Sequence, residues 1–390
     1  MVLKKIFSFV SVLAVTIGCT ACGNQKVGQV GDNSELDFPT PETSVQTTAE
    51  QPTTEPVPED KRVHVIAAGD NLIHYSVFKN AEANAADEEG VNYDFKPIYQ
   101  NVKYLVQDAD VAILNQETII SESNPIRGAD GGQLIFNSPP EVADAVIDLG
   151  FDVFTMANNH LLDMGASGLE ESINFWNEKA KENDLTVLGA YLNDEDAENI
   201  RVREVNGVKI AFLAYAEHIN GFSIPEDSSL RVIMNSEEDV IERQVKKASE
   251  IADAVIVSMH WGVEDTHEVS EDRIELANKI VNWGADVILG CHTHTAETME
   301  WIQRDDGTRG FVYYSMGNFV CAQTDNFNLV GEMPDFDIVV DGATGETYLD
   351  DVGAIPTIVH YDDGNFSNIR IYPYSQYTPE LAASHGLPYA

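Results

Sequence analysis

The chain is poor in positive charge. It contains 23 lysine and arginine residues against 65 aspartates and glutamates, which gives a formal net charge of −42 at pH 7. Binding to the phosphates of nucleic acid requires a basic face, so this shortage argues against a nucleic-acid partner. The excess of acid attracts cations, and it also suits the solvated surface of an exported protein.

Cysteine is scarce as well. The 390 residues include four cysteines, and only Cys291 and Cys321 lie beyond the first 22 positions. Two cysteines in so large a domain do not make a disulfide framework. They are able to pair with each other, but we expect free buried thiols.

Long apolar runs are absent except near the amino terminus. The run at 6–17 follows two lysines and is too short for a comfortable membrane span, so residues 1–22 predict an export signal. The stretch TACGN around Cys22 resembles a bacterial lipobox, in which the signal is cut before a cysteine that then receives lipid. We therefore predict an extracytoplasmic protein, anchored to the bacterial cell membrane by lipid on Cys22. Cys19 is the competing lipidation site, and a plain secretory signal is the alternative.

Residues 23–62 lack apolar periodicity. They contain five prolines, six threonines and eight acids against three bases. Such a segment cannot bury enough surface to fold, which predicts a disordered acidic spacer between membrane and domain. No break in composition follows within 63–374, so we treat 63–390 as one domain.

From Val63 onward, strand-like and helix-like segments alternate, which predicts parallel strands joined by helical crossovers. An Asn206-Gly207 pair between two strand-like runs predicts a hairpin. After His294 the segments indicate antiparallel strands. The sequence therefore predicts an α/β fold in which two mixed sheets form a sandwich with helices outside.

Potential metal ligands follow several predicted strands at their carboxyl ends. In an open α/β sheet these ends meet at one edge, where binding sites collect. Sites for two divalent ions mix carboxylate with imidazole, hold the ions about 3.5 to 4 Å apart and clamp the oxygens of a phosphoryl group. The sequence thus predicts a two-metal site. Its candidate ligands are Asp70, Glu117, the stretch from Asn158 to His160, His260, His292 and His294.

Each candidate has a simpler interpretation when taken alone. Asp70 could cap a turn, and Glu117 could pair with a surface base such as Arg127. Asn158 and Asn159 could occupy a left-handed turn, and His260 could be a hydrogen-bonded core histidine. The recurrence of such residues at successive strand ends favours the metal site.

Six motifs occur in a fixed order between positions 63 and 321, namely GDNLIH, NQET, ANNHLLDMG, HWGVE, GCHTH and YSMGNFV. Together they resemble the CapA/PgsA-type bacterial capsule (poly-γ-glutamate) synthesis proteins, whose domain is similar to the calcineurin-like metallophosphoesterases. The resemblance implies a four-layer αββα sandwich with a two-metal site. The ligands that it implies are Asp70, Glu117, Asn159, His260, His292 and His294.

The resemblance also implies individual roles. Glu117 stands where the superfamily has a bridging aspartate, and His160 matches the histidine that protonates the leaving group. The superfamily has a further histidine two residues after Asp70, but this chain has Leu72 there. His74 is the nearest histidine, so we include it as a ligand and expect one metal to be bound loosely or to lack a ligand.

His160 and Asp163 are our candidates for catalysis. An imidazole beside a metal centre can donate a proton to a leaving alkoxide, and a carboxylate three residues on can orient it. Asp163 could instead cap the turn before Gly165. Three further residues, His218, Glu264 and His267, are candidates for the substrate side of the same edge.

We expect metal-assisted hydrolysis of a phosphate ester in support of capsule or other envelope polymer synthesis. The two divalent ions could be Mn, Fe, Zn or Mg. Expected partners are an anionic envelope polymer or its precursor, and membrane proteins of a polymer synthase complex. One alternative is a non-catalytic protein that binds or assembles polymer through its metals. Another is an enzyme that cleaves γ-glutamyl amides by the same Lewis-acid chemistry.

Overall fold

The computed structural model describes residues 58–86 and 89–387. The predicted signal, Cys22 and most of the predicted spacer lie outside these residues. Within the described part, no helix is both long and apolar enough to cross a membrane.

Sixteen strands and nine α-helices can be assigned in the described residues. The strands are β1 (Lys61–Asn71), β2 (Val111–Asn115), β3 (Arg127–Gly128), β4 (Phe136–Asn137), β5 (Val153–Thr155), β6 (Thr186–Leu188), β7 (Arg201–Val205), β8 (Val208–Ala216), β9 (Ala254–His260), β10 (Val287–Cys291), β11 (Met299–Gln303), β12 (Arg309–Tyr313), β13 (Asn318–Val320), β14 (Val330–Val340), β15 (Thr347–His360) and β16 (Arg370–Pro373). The helices are α1 (Tyr75–Asn84), α2 (Lys96–Tyr99), α3 (Lys103–Asp108), α4 (Glu141–Leu149), α5 (Gly165–Asn183), α6 (Asp194–Glu198), α7 (Glu238–Ile251), α8 (Glu271–Trp283) and α9 (Pro379–Ser384).

The fold is built on two large mixed sheets. The first has the order β16-β15-β14-β1-β2-β5-β6, with β13 also paired to β1, and the second has the order β11-β12-β10-β9-β8-β7. In the first sheet β1, β2, β5 and β6 are parallel and β14, β15 and β16 add an antiparallel side. The second sheet has a parallel centre and an antiparallel strand at each edge. The parallel strands β2, β9 and β10 are buried along their whole length, as expected for parallel strands that are covered on both faces.

The sheets face each other and helices cover their outer sides. Strand β1 contacts β8 and β10 across the interface, where the Ser258 hydroxyl donates a 3.4 Å hydrogen bond to the Thr155 hydroxyl. Helices α7 and α8 pack on the second sheet, while α2 and α5 pack on the first. The predicted fold class, two mixed sheets flanked by helices, is confirmed.

Several local features differ from the sequence-based expectation. Strand β1 begins at Lys61, before the predicted boundary at Val63, because Lys61 and Arg62 already pair with the end of β14. Helices α2 and α3 are joined by a 3₁₀ turn and do not form one continuous helix. Helix α1 and the β3–β4 hairpin were not predicted, since neither segment has a clear apolar period.

A buried ion pair ties helix α8 to two loops. The Arg273 guanidinium donates two hydrogen bonds, of 2.8 and 2.7 Å, to the carboxylate of Glu297, and a longer one of 3.4 Å to the Trp261 carbonyl. Trp261 directly follows β9, and Glu297 follows the loop after β10. The pair therefore fixes the ends of two adjacent strands.

We predict that Arg273→Met lowers the free energy of unfolding by about 3 to 5 kcal/mol, because it leaves Glu297 buried and unpaired. Urea unfolding followed by circular dichroism measures the change. Lys279→Met is the matched control on the same helix, since Lys279 pairs with Glu238 at the surface, where solvent screens the pair, and its loss should change the free energy of unfolding little. Equal losses in the two variants would contradict this account.

Candidate metal centre

Donor side chains from five strand ends meet in the space between the two sheets. They follow or end β1, β2, β5, β9 and β10, whose carboxyl ends lie at the same edge. All are almost completely buried. The six are Asp70, Glu117, Asn159, His260, His292 and His294.

Two overlapping groups of ligand atoms form there. In one, atoms of Glu117, His260 and His292 lie within 4.8 Å of one another, and in the other the same holds for Asp70, Glu117 and His294. The side-chain oxygen of Asn159 lies 3.0 Å from His260 Nε2, which adds a fourth donor to the first group. Glu117 is shared by both groups, which is the arrangement that a bridging carboxylate requires.

The donors fit divalent cations on chemical grounds. Both carboxylate oxygens of Glu117 and the Nδ1 atom of His292 are buried without a hydrogen-bond partner. Burial, followed by the charge of Asp70, raises the pKa of Glu117 well above its ordinary value. A buried carboxylate without a donor is unfavourable unless a cation compensates it.

The histidines differ in electrostatic environment. Burial, followed by the neighbouring imidazole of His292, lowers the pKa of His260 well below its ordinary value, and burial lowers that of His292 to about 3. Both rings are thus held in the neutral form that binds metals. Burial alone would lower the pKa of His294, but the carboxylates of Glu117 and Asp70 outweigh it and raise the pKa to about 10.

The loop after β10 has an unusual backbone. His292 and His294 have φ values of 99° and 59°, in the left-handed region that non-glycine residues rarely adopt. The His292 amide donates a 3.1 Å hydrogen bond to Asp70 Oδ2. At Gly290 a Cβ atom would lie 1.9 Å from the Tyr314 carbonyl oxygen, so only glycine fits there. Such strain at a cluster of ligands is typical of functional sites.

Two asparagines that sequence analysis missed support the donors. The Asn115 amide donates a 2.7 Å hydrogen bond to Asp70 Oδ1 and lies 3.4 Å from His260 Nδ1. Asn318 Oδ1 lies 3.1 Å from His294 Nδ1, in register with Asp70 on the paired strand. The NQET and YSMGNFV motifs contain these residues. An asparagine within an otherwise apolar strand was the feature of the sequence that could have identified them.

His160 and Asp163 form the expected pair. His160 Nδ1 lies 2.8 Å from Asp163 Oδ2, and the same oxygen accepts a 2.7 Å hydrogen bond from the Phe136 amide. The His160 amide donates to Asn158 Oδ1. Helix α5, which begins at Gly165, has no side-chain cap, so the capping role considered for Asp163 is not observed. The pair leaves His160 Nε2 as the ring nitrogen not engaged by Asp163.

The four remaining candidate residues do not all lie beside the ligand groups. His74 lies outside both ligand groups: its Nδ1 accepts a hydrogen bond from the Ala322 amide, and burial lowers its pKa to about 3. His218 Nε2 lies 3.2 Å from His292 Nε2, and Glu264 lines the adjacent cleft. His267 does not line it and instead contacts the Ala296 carbonyl.

Three expectations about alternatives and thiols can also be resolved. Arg127 pairs with Asp130 and not with Glu117, so the surface-pair interpretation of Glu117 is wrong. Asn159 is not among the residues with positive φ, which excludes a left-handed turn there. Cys291 and Cys321 are buried and free, as expected.

A cleft of about 340 Å³ opens beside the donors. Its walls include His74, His160, His294 and Glu264, so the proton-donor candidate and one candidate metal ligand, His294, face the same space.

Comparison with known proteins gives a match over most of the described chain. The family model described as bacterial capsule synthesis protein PGA_cap matches residues 64–323. The capsule biosynthesis protein CapA of Bacillus anthracis is 31% identical over 233 residues, which cover 58% of this chain and 54% of that protein. The PGA biosynthesis protein CapA of Bacillus subtilis is 28% identical, with 65% and 62% covered. The chain thus spans less than two thirds of either relative. A phosphatase structure from Mycoplasma pneumoniae aligns with a TM-score of 0.41 and 16% identity, covering 76% of this chain and 93% of that one.

We predict that His292→Ala, His260→Ala and Asn159→Ala each lower bound metal from the about two equivalents expected of a dimetal centre. Elemental analysis of the purified chain measures the content. His267→Ala is the control, since this histidine lies outside the ligand groups, and it should retain wild-type metal. His74→Ala should have a smaller effect than His294→Ala. Unchanged metal content in all three ligand variants would refute the site.

Proposed function

The chain belongs to the PGA_cap family of bacterial capsule synthesis proteins, and on that premise we propose that it supports capsule or other envelope polymer synthesis by metal-assisted hydrolysis of a phosphate ester. The family match over residues 64–323 confirms the resemblance inferred from the six motifs. The His160–Asp163 pair beside the donor cluster is the observation that carries the proposal of catalysis. A purely structural metal site has no use for an oriented proton donor.

Two divalent ions, when bound, would supply Lewis-acid activation of the ester and of water. In the proposal, one ion is held by Asp70, Glu117 and His294, and the other by Glu117, Asn159, His260 and His292. The orphaned oxygens of Glu117 and the orphaned Nδ1 of His292 support this division. The identity of the ions is left open among Mn, Fe, Zn and Mg.

The proposed role of His160 is to protonate the leaving oxygen. Asp163 accepts a hydrogen bond from Nδ1 and so fixes the ring, while the carboxylate stabilises the charge that the protonated ring carries. The Phe136 amide holds Asp163 in turn, at 2.7 Å. Nε2 is then the nitrogen that can deliver a proton into the cleft.

The cellular location and the partners that we propose are inferred from the sequence. We place the protein outside the cytoplasm, held to the cell membrane by lipid on Cys22, with residues 23–62 largely as a spacer. At the membrane it would act on an anionic envelope polymer or a precursor of it, alongside membrane proteins of a polymer synthase complex. A non-catalytic role in polymer binding or assembly is the alternative that the experiment on His160 separates from hydrolysis.

We expect His160→Ala to keep metal content and folding while lowering turnover by roughly 10²- to 10⁴-fold, the usual effect of losing a general acid. The loss should be largest for esters with poor leaving groups, because a nitrophenolate departs with little proton assistance. Steady-state rates on phosphomonoesters and phosphodiesters of graded leaving-group pKa measure this.

The matched control is His267→Ala, which removes an exposed histidine outside the cleft and should keep wild-type rates. A binder predicts another pattern, in which no ester turns over and His160→Ala forms capsule like the wild type. Loss of metal from His160→Ala would identify His160 as a ligand and remove the argument for a proton donor.

Cys22→Ala should release the protein from membranes into the medium, because the lipid attachment site is lost. Fractionation of cells and immunoblotting measure the distribution, with Cys19→Ala as the matched control that should stay on the membrane. The reverse result would assign the lipid to Cys19. Retention of both variants would show that another feature anchors the protein.

A further inference from the structure

The cleft beside the metal centre has an apolar wall. Leu134, Phe136 and Phe222 line it, and we call these three residues the apolar shelf. Leu134 is 74% exposed and Phe222 is 50% exposed, although both are large hydrophobic side chains. Leu134 and Phe136 come from the β3–β4 hairpin and Phe222 from the loop after β8, so two separate loops contribute to one surface. Exposed apolar surface at a cleft mouth indicates a binding role.

The charge of the cleft restricts what binds there. Among the described residues that line it, none is lysine or arginine, and Glu264 contributes a carboxylate. Apart from the metal centre and the protonated form of His160, the walls therefore offer no cation to an anionic ligand. A chain with a carboxylate on every unit would place its charges against Glu264 and the apolar shelf without compensation.

The shelf lies on the side of the proton donor. The ring of Phe136 packs edge-on against that of His160, with centroids 4.6 Å apart, and the Phe136 amide holds Asp163. A group that receives its proton from His160 would thus rest against the shelf as it departs.

We propose that the apolar shelf binds the leaving group of the substrate, and that this group is an uncharged apolar alcohol joined to a single phosphate. The inference rests on the proposed function, because the metal centre must hold the phosphate. It assigns a substrate class of phosphate esters with an aryl or alkyl group. Within the proposed function it therefore selects a precursor of the anionic polymer over the extended polymer itself, and it excludes polyphosphates from this cleft.

The test compares two ligands that share a headgroup. Benzylphosphonate and methylphosphonate are titrated calorimetrically into the full chain, loaded with Mn²⁺ and held in detergent. We expect benzylphosphonate to bind roughly 10- to 100-fold more tightly, the gain that burial of a phenyl group gives. The double variant Leu134→Ser/Phe222→Ser should reduce the preference for benzylphosphonate to less than about threefold, since it removes the two exposed residues of the shelf. Tyr104→Ser, which removes an exposed aromatic residue that does not line the cleft, should keep the wild-type preference.

Equal affinities for the two phosphonates in the wild-type chain would overturn the inference, as would competition by tri-γ-glutamate as strong as that by benzylphosphonate. The outcome is distinguishable from that of the catalytic proposal, because binding requires no turnover. Hydrolysis without a benzyl preference contradicts the shelf alone, and a benzyl preference without hydrolysis contradicts catalysis alone. If neither phosphonate binds, both are refuted.

Discussion

The structure depends on one buried carboxylate. Glu117 is fully buried, and neither of its oxygens has a hydrogen-bond partner among the described residues. Asp70 adds a second negative charge nearby, and burial together with that charge disfavours ionisation of Glu117. A protein retains such a group where a cation occupies the space beside it. The donors around Glu117 are arranged as two halves that share it.

The fold brings these donors together by its topology. Parallel strands in each sheet end at one edge, and the second sheet adds His260 and the loop with His292 and His294 to the donors of the first. The buried pair of Arg273 and Glu297 ties the loops after β9 and β10 to a helix. The left-handed backbone at His292 and His294 costs conformational free energy, which the rest of the fold offsets.

The sequence predicted site residues best where a potential metal ligand ends or follows a buried strand. Asp70, Glu117 and His260 could be predicted because each ends or follows an apolar run, and the alternation of segments predicted the sheets. Asn115 and Asn318 could not, since their roles depend on which side chains face them across a strand pair. The apolar shelf also escaped prediction, because it joins two loops that have no periodic pattern and lie far apart in the chain.

Anomalous diffraction from crystals of the protein grown with Mn²⁺ tests the bridging role of Glu117 most directly. We predict two anomalous peaks about 3.5 to 4 Å apart, one beside Asp70 and His294 and the other beside His260 and His292, with the Glu117 carboxylate between them. A single peak, or two peaks that both lie beyond coordination distance of Glu117, would contradict the account.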